Sequence, residues 1–186
     1  MKFTLTARDI NKLMQFAKYY IDSDGTSSAL NLIQCEVNDR RIKANCIERT
    51  RLCEITLPVE DFDGEAGKCF LFPINKRFFN KDGNVEITVE KDTVIYKNKV
   101  SSQIFKVNQS QEMFDTRRIW EGKTKTKNIS QIYFFPNQLI QALQPFKDGY
   151  YDYTICIDII NQECFIITQN DGDCSYKALV LAAKKS

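Results

Sequence analysis

Histidine is absent from all 186 residues, and that gap excludes more chemistry than any residue present supplies. Without imidazole there is no Ser-His-Asp or Cys-His catalysis, and the common histidine-bearing zinc and non-haem iron sites drop out. Cysteine is present, at 35, 46, 53, 69, 156, 164 and 174, but the count is odd and no CxxC occurs. Neither a disulfide framework nor a zinc spacing follows from that pattern. Most of the cysteines fall in apolar, strand-like runs such as NLIQCEV and YTICIDII, where buried free thiols in a reducing compartment are expected. The phosphate-cradling GxxxxGK[ST], the dinucleotide GxGxxG, the GxSxG elbow and the EF-hand loop are all missing. Asp61, Asp63 and Glu65 lack the remaining ligands of an acidic metal loop and read as a solvated turn. Carboxylate–metal and lysine chemistry remain open in principle, but no motif supports them. The expectation is a non-enzyme without cofactor or metal.

Long apolar runs are missing too. No stretch approaches the roughly 18 uncharged apolar residues of a membrane span. The opening MKFTLTARD has neither the apolar run nor the small-residue cleavage site of a signal peptide. The sequence therefore predicts a cytoplasmic protein with no membrane partner. Charge of one sign is also scarce: the net charge is +2, too small to announce nucleic-acid binding by itself. What is there is an ordinary globular composition, 43% hydrophobic and 27% charged, with enough apolar side chain for a sizeable core.

The order of patterns along the chain is the informative feature. Residues 3–7, FTLTA, alternate like a strand, and 8–21 switch to helical spacing. Ile10, Leu13, Met14, Ala17 and Ile21 form one stripe, with Arg8, Lys12, Gln15 and Tyr19 opposite. A breaker-rich turn, DSDGTSS, leads to three strand candidates at 29–37, 41–48 and 51–59, the first two joined by an Asn38-Asp39 turn. After an acidic connector, 60–67, the order restarts: strand 68–72, short helix 73–80 opened by Pro73, a KDG stop, and three strands within 84–108. Residues 109–128 are polar, with Phe114, Ile119 and Trp120 as the only large apolar anchors, and read as a linker or long loop. A third pass follows: strand 131–135, helix 136–146 carrying a costly Pro145, a second KDG stop, and the last strands.

The second and third passes match in detail. Phe70-Leu71-Phe72-Pro73 opens one and Tyr133-Phe134-Phe135-Pro136 the other, and Lys81-Asp82-Gly83 and Lys147-Asp148-Gly149 close the two helices. The proline-to-lysine spacings, eight and eleven residues, differ by about one helical turn. This predicts an α+β fold of repeated β-α-β-β-β units with helices on one face of antiparallel sheets. The expected domains are 1–108, holding two units, and 129–186, a third unit forming part of a second domain.

MKFTLTARDINKLMQFAK resembles the opening of a bacterial DNA polymerase III beta subunit, and CEITLPVEDFDGEAGKCFLFPINKRFF is similar to that family's passage from strand through acidic loop to strand and helix. FFPNQLIQALQPFKDG with TQNDGDCSYKALVLAA looks like its final half-domain. The resemblance is thus to DNA sliding clamps, including proliferating-cell nuclear antigen-like proteins, and spans most of the chain outside 109–128. It implies a replication accessory role: helix polar faces lining a channel around duplex DNA, met without sequence reading, and an apolar pocket for short peptides of polymerases and other replication proteins. The candidate DNA-facing residues are Arg8, Lys12, Lys76, Arg77, Lys81 and Lys147, with Arg117, Arg118, Lys123 and Lys125 from the densest basic stretch, which also contains Lys127. That stretch suits either DNA contact or loop solubility.

The chain departs from the family in two ways. It shows three clear units where a clamp domain holds two, and it is slightly basic where the family is usually acidic. Known clamps close rings of twelve units, so three units per chain, in a shortened relative, would imply a homo-oligomer of four, while a degenerate fourth unit within 109–128 would imply one of three. The alternative function is a clamp-like interaction module, a decoy or regulator that binds replication proteins without encircling DNA.

Overall fold

The computed structural model describes residues 1–21, 31–38, 40–48, 50–74, 83–122, 132–147 and 154–183. The first unit holds β1 (Lys2–Thr6), α1 (Ala7–Tyr20), β2 (Leu32–Asn38), β3 (Arg41–Glu48) and β4 (Arg51–Pro58). After β5 (Glu60–Asp63) in the connector, the second holds β6 (Lys68–Pro73), β7 (Asn84–Val89), β8 (Thr93–Lys97) and β9 (Ser102–Lys106). After α2 (Thr116–Glu121) come α3 (Pro136–Lys147), β10 (Cys156–Asn161), β11 (Cys164–Asp171) and β12 (Cys174–Leu181). The result is the expected α+β architecture of antiparallel sheets and a few helices.

The strands form a five-stranded sheet, β5-β1-β7-β8-β9, and a seven-stranded sheet, β10-β11-β12-β4-β3-β2-β6. The first two units interlock reciprocally. The opening strand of the first, β1, pairs with β7 of the second, Phe3 opposite Ile87 and Leu5 opposite Val85. The opening strand of the second, β6, pairs with β2 of the first, Ile33 opposite Phe72 and Cys35 opposite Phe70. Each unit thus lends its first strand to the other's sheet. The third unit joins from outside, through β12 against β4.

α1 forms where its cap and stripe dictate. Thr6 is the N-cap, accepting from the Asp9 backbone N–H at 3.1 Å while its hydroxyl donates to the Asp9 carboxylate at 2.6 Å. Ile10, Leu13, Met14, Ala17 and Ile21 are all buried, as the helical spacing predicts. Phe16 and Tyr20 are buried as well, because α3 covers a second flank of α1. Phe16 stacks on Tyr176 and meets Phe146 edge-on, with ring centroids 5.1 and 5.0 Å apart. The Tyr20 hydroxyl donates to the Ala142 carbonyl at 2.9 Å.

Four local expectations are corrected or fall outside the described residues. Residues 132–135 form no strand; Tyr133, Phe134 and Phe135 are exposed on irregular backbone. The polar segment 109–128 contains α2, capped by Asp115. The connector 60–67 contains β5. Most of the helix expected at 73–80 lies outside the described residues, and β6 itself runs to Pro73. All seven cysteines are free; Cys35, Cys46, Cys53 and Cys164 are buried, whereas Cys69 and Cys156 are exposed. Among the described residues no helix is long and apolar enough to cross a membrane.

Candidate nucleic-acid interface

Side-chain alternation gives the seven-stranded sheet two distinct faces. On β12, Tyr176, Ala178 and Val180 enter the main core with α1 and α3, while Leu179 joins a small cluster with Leu52, Ile160 and Cys164. The helices therefore lie on one face, and Ile119 and Trp120 of the α2 region pack on the other. A candidate DNA surface is the outward side of α1 and α3. It presents Arg8 and Lys18 from α1, and Asn137, Gln141 and Lys147 from α3, all exposed.

The cations predicted from sequence separate into three groups. Arg8 reaches this surface, with a guanidinium nitrogen 3.1 Å from a carboxylate oxygen of Asp171. Lys147 is exposed at the end of α3. Lys12 instead bridges the two helices. Its ammonium donates to the Pro145 carbonyl at 3.2 Å and lies 5.4 and 5.5 Å from the ring centroids of Phe16 and Tyr176. It brings a cation from α1 to the last turn of α3, where the helix dipole favours positive charge, and Pro145, an awkward residue inside a helix, supplies the acceptor. Arg117 and Arg118 are exposed on α2, on the far face of the sheet, so the fold does not bring them together with Arg8. Lys76, Arg77, Lys81, Lys123, Lys125 and Lys127 lie outside the described residues.

Lys18 was not singled out by sequence reasoning, although one more helical turn along the Arg8 side of α1 would have reached it. A basic depression was also missed. Asn38, Arg40, Arg41, Lys43 and Thr56 line an open cavity of about 640 Å³. Its cations are partly matched: Lys43 lies 3.3 Å from Glu54, and Arg41 lies 4.0 Å from Asp173. The RRIK run was the available signal, but its alternation places Arg41 and Lys43 on the side opposite the buried Ile42 and Ala44, away from the helices.

Two titratable groups flank α1, half-buried Cys174 by its first turn and buried Tyr20 at its last residue. Cys174 donates weakly to the Asp9 carboxylate, sulfur to oxygen 3.7 Å. Burial first, then the Asp9 charge, push its thiol up to about 11. Burial also raises the Tyr20 phenol well above its ordinary range, with the nearby Arg51 guanidinium acting the other way. These are packing environments, and they supply no nucleophile at neutral pH.

Helices side by side on one face of a sheet that runs through successive units define the class: this is the sliding-clamp fold. The chain is similar to the DNA polymerase III beta chain of Streptococcus pneumoniae, with a TM-score of 0.75 and 12% identity, covering 100% of this chain and 65% of that one. It is similar to a DNA polymerase sliding clamp of Pseudomonas aeruginosa, TM-score 0.76 and 11% identity, covering 100% and 67%. A. fulgidus PCNA, solved with the C-terminal region of FEN-1, gives 0.68 at 7% identity, covering 100% and 99%. The chain thus spans about two thirds of the length of the bacterial clamps. No protein-family model matches the sequence, and no curated protein matches it.

Proposed function

We propose that this chain is a sliding-clamp-like replication accessory protein, a scaffold that associates with duplex DNA without reading its sequence and tethers replication proteins through short peptides. In this reading 1–108 is a two-unit clamp domain, 109–128 a connector and 129–186 a third unit, and copies of the chain assemble with one another. The observation that carries it is the placement of α1 and α3 together on one face of a sheet drawing strands from all three units. That arrangement leaves a polar helical surface with Arg8, Lys18 and Lys147, which meet phosphates as charges rather than reading bases. Lys76, Arg77 and Lys81 remain further candidates from their place in the second unit's sequence pattern. Lys12 contributes by fixing α1 against α3. The C-terminal region of FEN-1 on the archaeal clamp is the kind of peptide partner the reading implies.

Duplex affinity measured against salt tests this reading. Log K should fall linearly with log salt, with a slope of roughly 0.9 per phosphate neutralised. The combined Arg8→Ala, Lys76→Ala, Arg77→Ala and Lys147→Ala variant should flatten that slope while keeping its unfolding midpoint. No association at low salt would replace this reading with that of a clamp-like module that holds replication proteins without DNA. The two helix-bound features that favour the rival are the engaged Lys12 ammonium and the uncharged Gln138, Gln141 and Gln144 of α3.

A further inference from the structure

The third unit is half of a reciprocal pair. In the first two units, each opening strand lies against the second strand of its counterpart, β1 on β7 and β6 on β2. The second strands are thereby covered: Ile33, Cys35 and Val37 of β2 are buried, and so are Val85, Ile87 and Val89 of β7. The third unit has the same parts without a counterpart. Its second strand, β10, pairs only with β11 among the described residues and ends the sheet. Ile157 and Ile159 lie opposite Ile167 and Phe165, so they face the core side. Yet those two partners are buried, while Ile157 is 48% and Ile159 40% exposed. Among the described residues the unit's opening segment, 132–135, lies on no second strand; its Tyr133 carbonyl instead accepts the Ala183 N–H just past β12, and Phe135 is 62% exposed where its repeat counterpart Phe72 is fully buried. Of the nine large hydrophobic residues exposed among those described, six lie between 133 and 159. That concentration sets the third unit apart from scattered surface apolar residues, which are normal.

We infer that the third units of two copies of this chain pair with each other, so that one two-unit domain is built from two chains. The contact is isologous: residues 133–135 of each copy extend along β10 of the other, as β6 extends along β2. With Ile157 and Ile159, the core-facing residues of β10, set on Ile33 and Cys35 of β2, and Phe135 and Tyr133 on Phe72 and Phe70, the β2–β6 register puts Ile157 opposite Phe135 and Ile159 opposite Tyr133 of the second copy. An open strand edge and the segment that fits it occur on the same unit, related by the symmetry the first two units already display. A second copy therefore satisfies both at once, whereas a foreign peptide strand would fill only β10. This deepens the self-association within the proposed function and stands independently of DNA contact. The dimer would hold six units, and among the described strands β5, β6 and β9, the last with its exposed Ile104, would remain at sheet edges.

Sedimentation of the full chain without DNA, across micromolar concentrations, tests the inference. The expected species is a dimer, or an even multiple of it. Ile157→Asp and Phe135→Asp should each weaken association by roughly tenfold or more, the effect of losing a central apolar contact, while Ile104→Asp on β9 should leave the dimer intact. As a check independent of folding losses, an Ile157→Cys chain is mixed with a Phe135→Cys chain, both carrying Cys69→Ser and Cys156→Ser. Oxidation should cross-link the two different chains in preference to either with itself. A monomer at every concentration, a dimer dissolved by Ile104→Asp but not by Ile157→Asp, or no mixed cross-link would each overturn the pairing. Loss of DNA binding with the dimer intact would fault only the proposed function.

Discussion

Phe70-Leu71-Phe72-Pro73 and Tyr133-Phe134-Phe135-Pro136 are nearly the same four-residue phrase, yet the protein treats them oppositely. The first is strand β6, with Phe70, Leu71 and Phe72 buried against β2 and the five-stranded sheet. The second is irregular and exposed, although Phe134 still leans on Phe165 at 6.0 Å and the Tyr133 carbonyl accepts the Ala183 N–H at 2.7 Å. Composition does not separate the two; the presence of a second strand to pair with does. A β-prone run becomes a strand when its backbone groups find a partner.

The largest effect that would sharpen this contrast is mutational. Phe72→Ala should destabilise the fold by about 3–5 kcal/mol, the range for emptying a buried aromatic site. Phe135→Ala should cost under about 1 kcal/mol at a concentration where the chain is monomeric, since the site is already open. Urea unfolding of both variants at matched low concentration checks the pair. Equal losses would break the comparison.

Next in size is the α1–α3 contact, which ties the third unit to the first. Tyr20→Phe removes the hydroxyl from the buried Ala142 carbonyl and should cost about 1–2 kcal/mol. Unfolding curves that separate into two transitions would show that this contact is what couples the units. Lys12→Met should cost about 0.5–1 kcal/mol by removing a cation from the end of α3. It should leave the salt slope of DNA association nearly unchanged, while Arg8→Ala lowers it. The reverse result would return Lys12 to the DNA surface.

The smallest effect is alkaline. In the folded protein Cys174 holds its proton up to about 11, from an ordinary value of 9.0, because it is half-buried and faces Asp9. The unfolded chain releases that proton first, so stability is unaffected below pH 9 and falls as pH rises through 9 to 11. A rise of that size would be worth at most about 2.7 kcal/mol, and partial exposure reduces this to about 1 kcal/mol. Cys174→Ser should flatten the decline between pH 9 and 11 by that amount in urea unfolding, with the buried tyrosines and other cysteines still contributing at the upper end.

Much of the fold was legible because it is periodic. The α1 stripe from Ile10 to Ile21, the strand alternation and the repeated order of patterns each report a local preference that tertiary structure then kept. Phe16 and Tyr20 were not legible as core, because the surfaces that bury them, Phe146, Tyr176 and Ala142, lie more than 120 residues away in the chain. The strand expected at 131–135 is absent over the described 132–135 because alternation announces strand preference without announcing a partner. In 109–128, Asp115 and the apolar pair Ile119 and Trp120 were signals for a short capped helix, outweighed by the surrounding polarity. Of the candidate site, Arg8 lies at an exposed position of α1, and Lys147, expected just after the third helix, is the exposed last residue of α3. The sequence could not reveal that Pro145 takes the Lys12 ammonium, or that Arg117 and Arg118 stand on the opposite face of the sheet, since charge density along a chain carries no information about faces.

Amide hydrogen exchange, followed segment by segment at rising protein concentration, most directly tests whether the third unit is a repeat lacking its counterpart. The backbone of β6 and β2 should be strongly protected at every concentration, and that of 133–135 and β10 should exchange quickly when dilute and slow together as copies associate. Protection of 133–135 and β10 equal to that of β6 in dilute solution, with no change on concentrating, would contradict it.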